Sequence, residues 1–172
     1  MIVRPATEED LPATLAIYNE LIPTTTVAWT EDLQTLDERI AWYRARQERG
    51  FPVLVAVDDA GEVVGTTTYG DFRDSVDKPG YRFTVEHSVH VRADQRRNGV
   101  GQSLMRELIE VARRSGVHAM IGGIDAANQD SIVFHERLGF VEVARMPQTG
   151  WKFGRWLDLV LVQLTIDPGG MR

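Results

Sequence analysis

The residue types that could carry chemistry fall in three short stretches. The first is "RRNGVG", Arg96 to Gly101, where two arginines precede Gly99 and Gly101, and Val100, Leu104, Leu108 and Val111 then recur at helical spacing. The N–H groups at a helix N-terminus have no intrahelical partner and favour an anion, and glycines let the backbone come close to it. With Arg96 and Arg97 alongside, this stretch is either a solvated helix entry or a cradle for a phosphate-bearing cofactor. The second is Glu86 in "TVEHSV". A carboxylate there can take a proton from an amine, directly or through water, or it can simply pair with Arg82. The third is His135 in "NQDSIVFHERLGF". Its imidazole can act as an acid near neutral pH or only orient what lies beside it.

These groups need elements to position them. "MIVRPA" is a short strand candidate, and Thr7 caps a helix whose stripe is Leu11, Leu15, Ile17, Tyr18 and Leu21. "TTTVAW" is hydroxyl-rich and irregular, hence a loop, and Leu33 to Gln47 is a second helix stopped at Gly50. The period then changes to two. Val53–Val57 and Val63–Tyr69 flank a "DDAG" turn as a hairpin. Tyr81 to Val91 alternates, with Tyr81, Phe83, Val85, His87 and Val89 on one face and Arg82, Thr84, Glu86, Ser88 and His90 on the other. After the glycine loop and its helix come a buried strand in "HAMIGGID", a short helix ended by Gly139, and a final strand in "WLDLVLVQLTI". The order predicts an α/β or α+β domain with a sheet of mixed direction and helices on its faces.

Composition narrows the function classes. A chain of 172 residues is most simply one domain, and 43% hydrophobic with 26% charged residues fits an ordinary soluble globular protein. A net charge of −6 argues against a nucleic-acid partner. The absence of cysteine removes disulfides, thiolate metal sites and a cysteine nucleophile. No signal core or membrane-length apolar run is visible, so a cytoplasmic location without a membrane partner is expected. Two familiar phosphate motifs fail here. A dinucleotide fingerprint wants a third glycine where Leu104 stands, and the Gly-Lys-Ser/Thr of a Walker loop is missing. His87 and His90 would face opposite sides of a strand, poor geometry for one metal.

What remains is Arg/Gln-x-x-Gly-x-Gly/Ala, matched by Arg96, Gly99 and Gly101 between a strand and a helix. In this order of elements the chain resembles the GNAT superfamily of acetyltransferases, and "NQDSIVFHERLGF" matches that family's closing motif with His135 where many members have tyrosine. "TVEHSV", "SIVFHERLGF" and "GWKFGRWLD", together with "RPATEEDL" and "IYNE", make it similar to the phosphinothricin N-acetyltransferase branch over essentially the whole chain.

The resemblance implies a mixed, mainly antiparallel central sheet with helices on both faces, two splayed parallel strands, acetyl-CoA as co-substrate, no metal, and commonly a homodimer. It implies a direct N-acetyl transfer to the α-amine of an amino acid analogue such as phosphinothricin, methionine sulfone or methionine sulfoximine. Backbone near Val89 and Val91 would bind the pantetheine. The amides that follow Arg96, those of Arg97, Asn98, Gly99, Val100, Gly101 and Gln102, would hold the pyrophosphate, and Asn128 and Ser131 would touch the cofactor. Glu86 is the expected general base and His135 either the acid that protonates the leaving sulfur or a residue that positions it. Trp29, Arg73, Lys78, Tyr81 and Arg82 are the expected acceptor contacts, because a guanidinium can hold a carboxylate in a bidentate pair. Lys152, Trp156 and Asp158 belong to the late motif and receive no chemistry. Three departures bear on the acceptor: Lys78 stands where the branch has arginine, His90 where it often has tyrosine, and "FRDSVDKPGY" is irregular. A polyamine or a protein N-terminus is the alternative acceptor. Outside that class stand an acyl-CoA-binding sensor without turnover and a metal hydrolase.

Overall fold

A computed structural model describes residues 1–166. Strand β1 (Ile2–Pro5) leads into helices α1 (Leu11–Leu21) and α2 (Leu36–Glu48), then strands β2 (Val53–Val57), β3 (Val63–Asp71) and β4 (Thr84–Val91). Helix α3 (Val100–Arg114), strand β5 (Ala119–Asp125), helix α4 (Gln129–Glu136) and strands β6 (Val141–Lys152) and β7 (Arg155–Thr165) complete it. The seven strands form one sheet in the order β1-β2-β3-β4-β5-β7-β6. Every neighbouring pair is antiparallel except β4 and β5.

Local chemistry accounts for the element ends. The Thr7 amide donates to Asp10 at 2.8 Å, and Arg4 grips the same carboxylate through both its nitrogens at 2.7 and 2.8 Å, tying β1 to the start of α1. Thr35 and Glu38 cap α2 reciprocally. Asp58 accepts from the amides of Ala60 and Glu62, and Gly61 supplies the left-handed residue of the β2–β3 turn. The alternation in β2 sends Val53, Val55 and Val57 into a core under α1 and α2, while Leu54 and Ala56 face the larger core under α3 and α4. Helix α3 buries Val100, Leu104, Met105, Leu108, Ile109 and Ala112 against that second face.

Two expectations fail. The alternating run does not begin at Tyr81: residues 79–81 form a 3-10 turn, and Tyr81 and Phe83 are exposed rather than part of an apolar strand face. Tyr81 instead packs edge-on to Phe72 at 6.3 Å. Strand β6 was not foreseen at all. It is an edge strand, mostly exposed, that contains Pro147 and loses register with β7 at two places, so no period of two survives in its sequence. Its pairing with β7 makes it a strand.

Among the described residues no helix is long and apolar enough to cross a membrane. Leu104 is fully buried. Leu104→Ala is expected to lower the unfolding free energy by about 2–5 kcal/mol, measured by urea denaturation, whereas Leu36→Ala on the exposed face of α2 should change it far less.

Candidate active site

The parallel pairing of β4 with β5 covers only Thr84↔Ala119, Val85↔Met120 and Glu86↔Ile121. Beyond it β4 continues to Val91, held on its other side by β3, and β5 continues to Asp125, held by β7. The two strands therefore splay into a V, and the β4 and β5 backbone groups that face each other across it have no strand partner. Glu86 sits at the apex.

Consecutive parts of β4 line two clefts. Val89, His90 and Val91 line the larger, of about 1070 Å3, together with the turn before α3, the start of α4 and residues 24–27 of the α1–α2 loop. Glu86, His87 and Ser88 line the smaller, of about 490 Å3, with Trp42, Arg46, Arg49 and Asp71.

In the larger cleft the turn before α3 has the form an anion site needs. Gly99 is left-handed at φ 80° with open space where a side chain would be, so its requirement for glycine is conformational. Arg97 is left-handed too, at φ 65°. The Ser103 amide donates to the Gly99 carbonyl, so the amides just before it lie in the first turn, free of intrahelical partners. Arg96 makes no side-chain contact among the described residues, and Arg97 reaches Asp130 only at 3.5 Å with both side chains exposed. Gly101 lies beside Phe134 and Val91, where an added carbon would meet ordinary contacts of 3.4–3.6 Å. Gln102, Asn128 and Ser131 also line this cleft. The Asn128 oxygen is committed to capping α4 through the Ser131 amide at 3.1 Å, which leaves its NH2 group available. The Val100 side chain lies in the core instead, so only its amide can serve a ligand. Asn98 does not line either cleft.

At the apex, two glycines of "IGGID" do work that the sequence pattern did not suggest. A carbon on Gly122 would fall 2.8 Å from His87 Nε2, and one on Gly123 would fall 3.4 Å from Glu86 Oε1. The absence of a side chain at Gly122 makes room for His87 on one face of the sheet, while at Gly123, on the face of the Glu86 carboxylate, an added carbon would meet only ordinary contacts. Glu86 makes no ion pair or hydrogen bond among the described residues, and burial raises its pKa. The alternative pairing with Arg82 does not form. Arg82 donates to the Pro79 carbonyl at 2.9 Å and lies over the Phe83 ring.

His135 is where the geometry departs most from expectation. Its ring is buried, packed between His87, Phe134 and Phe140 at centroid distances of 5.1–5.3 Å, and does not line the larger cleft. Nδ1 lies 2.7 Å from the Ser131 carbonyl and must donate to it, so the neutral ring carries a bare lone pair on Nε2. Burial lowers its pKa, and both ring nitrogens of His87 are also buried without partners. His87 and His90 face opposite sides, His90 stacking near Tyr18 at 5.4 Å.

None of the five residues expected around the acceptor lines either cleft. The Trp29 ring lies on Gly150, and Arg73 lies over the rings of Phe72 and Tyr81, while Lys78 is exposed beside the 3-10 turn. Sequence reasoning missed Trp42, Arg46 and Arg49. Their spacing of four and then three puts Trp42 and Arg46 on one side of α2 with Arg49 as the residue capping its end, a signal visible in "WYRARQER". Arg46 donates to the Tyr69 carbonyl at 2.6 Å and stacks on Trp42, while Arg49 pairs with Asp71 at 2.5 Å.

Fold and site together present two clefts along β4, the larger beside the glycine turn before α3 and the smaller lined by the Glu86 carboxylate. The chain matches the acetyltransferase (GNAT) family over residues 14–140 and belongs to that family. It is 51% identical over 96% of its length, and 95% of the relative's, to the L-methionine sulfoximine/L-methionine sulfone acetyltransferase of Pseudomonas paraeruginosa. It is 33% identical, over 97% of its length and 83% of the relative's, to the phosphinothricin N-acetyltransferase of Alcaligenes faecalis. Among solved structures it superposes, with a TM-score of 0.92 and 32% identity over 98% of this chain and 89% of the other, on a GNAT superfamily phosphinothricin acetyltransferase from Sinorhizobium meliloti in complex with acetyl-CoA.

The buried imidazoles carry a stability consequence. Burial pushes His87 down to about 3 and, with the Arg39 charge, His90 down to about 4. An unfolded histidine titrates near 6.5, so between these values the unfolded chain holds the extra protons and stability falls as pH drops. On the order of 2 kcal/mol per histidine should be lost between pH 7.5 and 5. Urea midpoints across that range should show it, with a shallower slope in His87→Gln. An equal slope in that variant would remove His87 from the effect.

Proposed function

We propose that the chain transfers the acetyl group of acetyl-CoA directly to the α-amine of phosphinothricin, methionine sulfone, methionine sulfoximine or a related amino acid analogue. The observation that carries this reading is the unpaired Glu86 carboxylate at the apex of the V, on the wall of the smaller cleft, with the larger cleft beginning three residues further along β4. The names of the similar proteins support the acceptor class.

Acetyl-CoA supplies an acetyl group activated as a thioester. The free amides of the turn from Arg97 to Gln102, with the Arg96 guanidinium, suit its pyrophosphate, and the open backbone edge at Val89 and Val91 suits the amides of its pantetheine arm, with the Asn128 NH2 and Ser131 nearby. An amine must lose its proton before it attacks, and Glu86 would accept it. Arg46 and Arg49 are the cations of the smaller cleft, matched to an acceptor carboxylate, with the loop bearing Arg73, Lys78, Tyr81 and Arg82 tethered to them through Arg49 and Ser75 at 3.3 Å. His135 acts here by positioning, since its Nδ1 is engaged and its ring is turned into the core.

The unit is a single domain, working in the cytoplasm without a metal, nucleic acid or membrane. It pairs as a homodimer. Trp151 and Trp156, half-exposed and packed together at 5.1 Å on the outer strands of the sheet, with Val141, Val143 and Met146 also exposed, offer an apolar face for a second copy.

Glu86→Gln should lower turnover by about 10²–10⁴-fold and leave acetyl-CoA binding largely unchanged. Because burial raises the Glu86 pKa, turnover of the unaltered enzyme should fall on acidification above the usual carboxylate range, and Glu86→Gln should lose that limb. Identical pH profiles would remove Glu86 from the base role.

The acceptor is tested by following CoA thiol release with phosphinothricin, methionine sulfone, methionine sulfoximine, a polyamine and a short peptide offered separately. Release with the amino acid analogues alone is expected. Release only with polyamine or peptide would change the acceptor, and silence alongside measurable CoA binding would make the protein a sensor.

A further inference from the structure

Lys152, near the end of β6, is fully buried, yet no carboxylate touches its ammonium. Its three donors go to three carbonyl oxygens, those of Ile22, Thr25 and Ala28, each at 2.7 Å. All three belong to the segment between α1 and α2, and Ile22 is the C-terminal cap of α1, where helix carbonyls lack partners and favour a cation. The neighbours of Lys152 on β6 grip the same segment. The Trp29 ring occupies the space over Gly150, where an added carbon would fall 2.0 Å from it. The Phe153 amide donates to Glu31 at 3.0 Å, with Phe153 held at φ 53° and its ring 4.7 Å from the ammonium.

The segment from 22 to 35 has no helix or strand of its own. Its far end is pinned by Asn19, which bonds the Gln34 carbonyl and amide at 2.8 and 3.0 Å. Its middle rests on the contacts from β6. That middle, residues 24–27, forms a wall of the larger cleft, as does Phe153.

We propose that Lys152 is a positioning residue: through the three carbonyls, and with Gly150 and Phe153, it fixes the α1–α2 loop as one wall of the acetyl-CoA cleft and thereby sets the affinity for that co-substrate. The inference rests on the larger cleft being the acetyl-CoA site. It gives a function to the "GWKF" stretch, Gly150 to Phe153, which touches neither Glu86 nor the turn before α3. Loss of the ammonium would leave three carbonyls to find other partners, and the wall would be in place for only a fraction of the time. Apparent affinity falls by that fraction.

The test compares the unaltered protein with Lys152→Met and Gly150→Ala. Gly150→Ala leaves the lysine intact but displaces Trp29, and it carries the test if Lys152→Met does not fold. The measurements are the acetyl-CoA Kd by calorimetry, KM and kcat with methionine sulfone, and amide hydrogen exchange over residues 22–31. A loop in place one-tenth of the time raises Kd and KM for acetyl-CoA about tenfold. The expected result is that rise, a kcat changed much less, and faster exchange confined to the loop. Unchanged Kd and loop exchange in both variants would overturn the inference, as would a loss confined to kcat. Failure of the unaltered protein to bind acetyl-CoA would instead overturn the assignment of the cleft, and the inference with it.

Discussion

Parallel pairing between β4 and β5 stops at Glu86 and Ile121, and the rest of the site depends on that interruption. A backbone amide or carbonyl taken out of water needs a partner, so two adjacent strands that part company inside a sheet leave a demand that an extended ligand can meet. The gap stays open because each strand is held on its far side, β4 by β3 to Val91 and β5 by β7 to Asp125. A rigid, unclosed edge is thus built from ordinary antiparallel pairing on both sides of it.

The apex places a different titratable group on each face of the sheet, and one of them needs a glycine beneath it. Gly122 gives way to His87 on the face packed by α3 and α4, and Gly123 lies under Glu86 on the other. Both groups are titratable, yet burial acts on them in opposite senses: it holds the imidazole neutral and moves the carboxylate toward its protonated form. A carboxylate displaced in that direction, with no ion pair to offset it, holds a proton more readily than a solvated one. The imidazole on the reverse face contributes packing against His135 and Phe140.

Charge is distributed against the net balance of the chain. The molecule carries −6 overall, but the larger cleft is lined by Arg96, Arg97, Arg137 and Arg155, and the smaller by Arg46 and Arg49. Local potential rather than net charge attracts a multiply charged ligand. Buried cations elsewhere have no acid in direct contact: Arg39 stacks on Trp42 at 4.2 Å and bonds Thr14, and the Lys152 ammonium is met by three carbonyls. Asp71, which holds Arg49, is the one acidic residue besides Glu86 on the wall of the smaller cleft.

The sequence by itself determined what short-range physics encodes. β-rich runs around a turn marked β2 and β3, and a buried-strand pattern marked β5; the helical stripe of Val100, Leu104, Leu108 and Val111 marked α3; Gly99 and the arginines before it marked the turn that opens α3. Those features repeat within a few residues and need no distant partner to be legible. Strand β6 was illegible because its register breaks and exposure erase alternation, and its identity comes from β7. The residues that line the smaller cleft were illegible for a related reason. Trp42, Arg46 and Arg49 share a cleft with Glu86 only because α2 packs near a distant part of the chain, while the Trp29 ring takes the space left by the absence of a side chain at Gly150. The turn of His135 into the core, and the three carbonyls that surround Lys152, are likewise decided by tertiary packing. Whether a polar side chain faces a ligand or a buried partner depends on which surfaces meet across long sequence separations, and no local pattern carries that information.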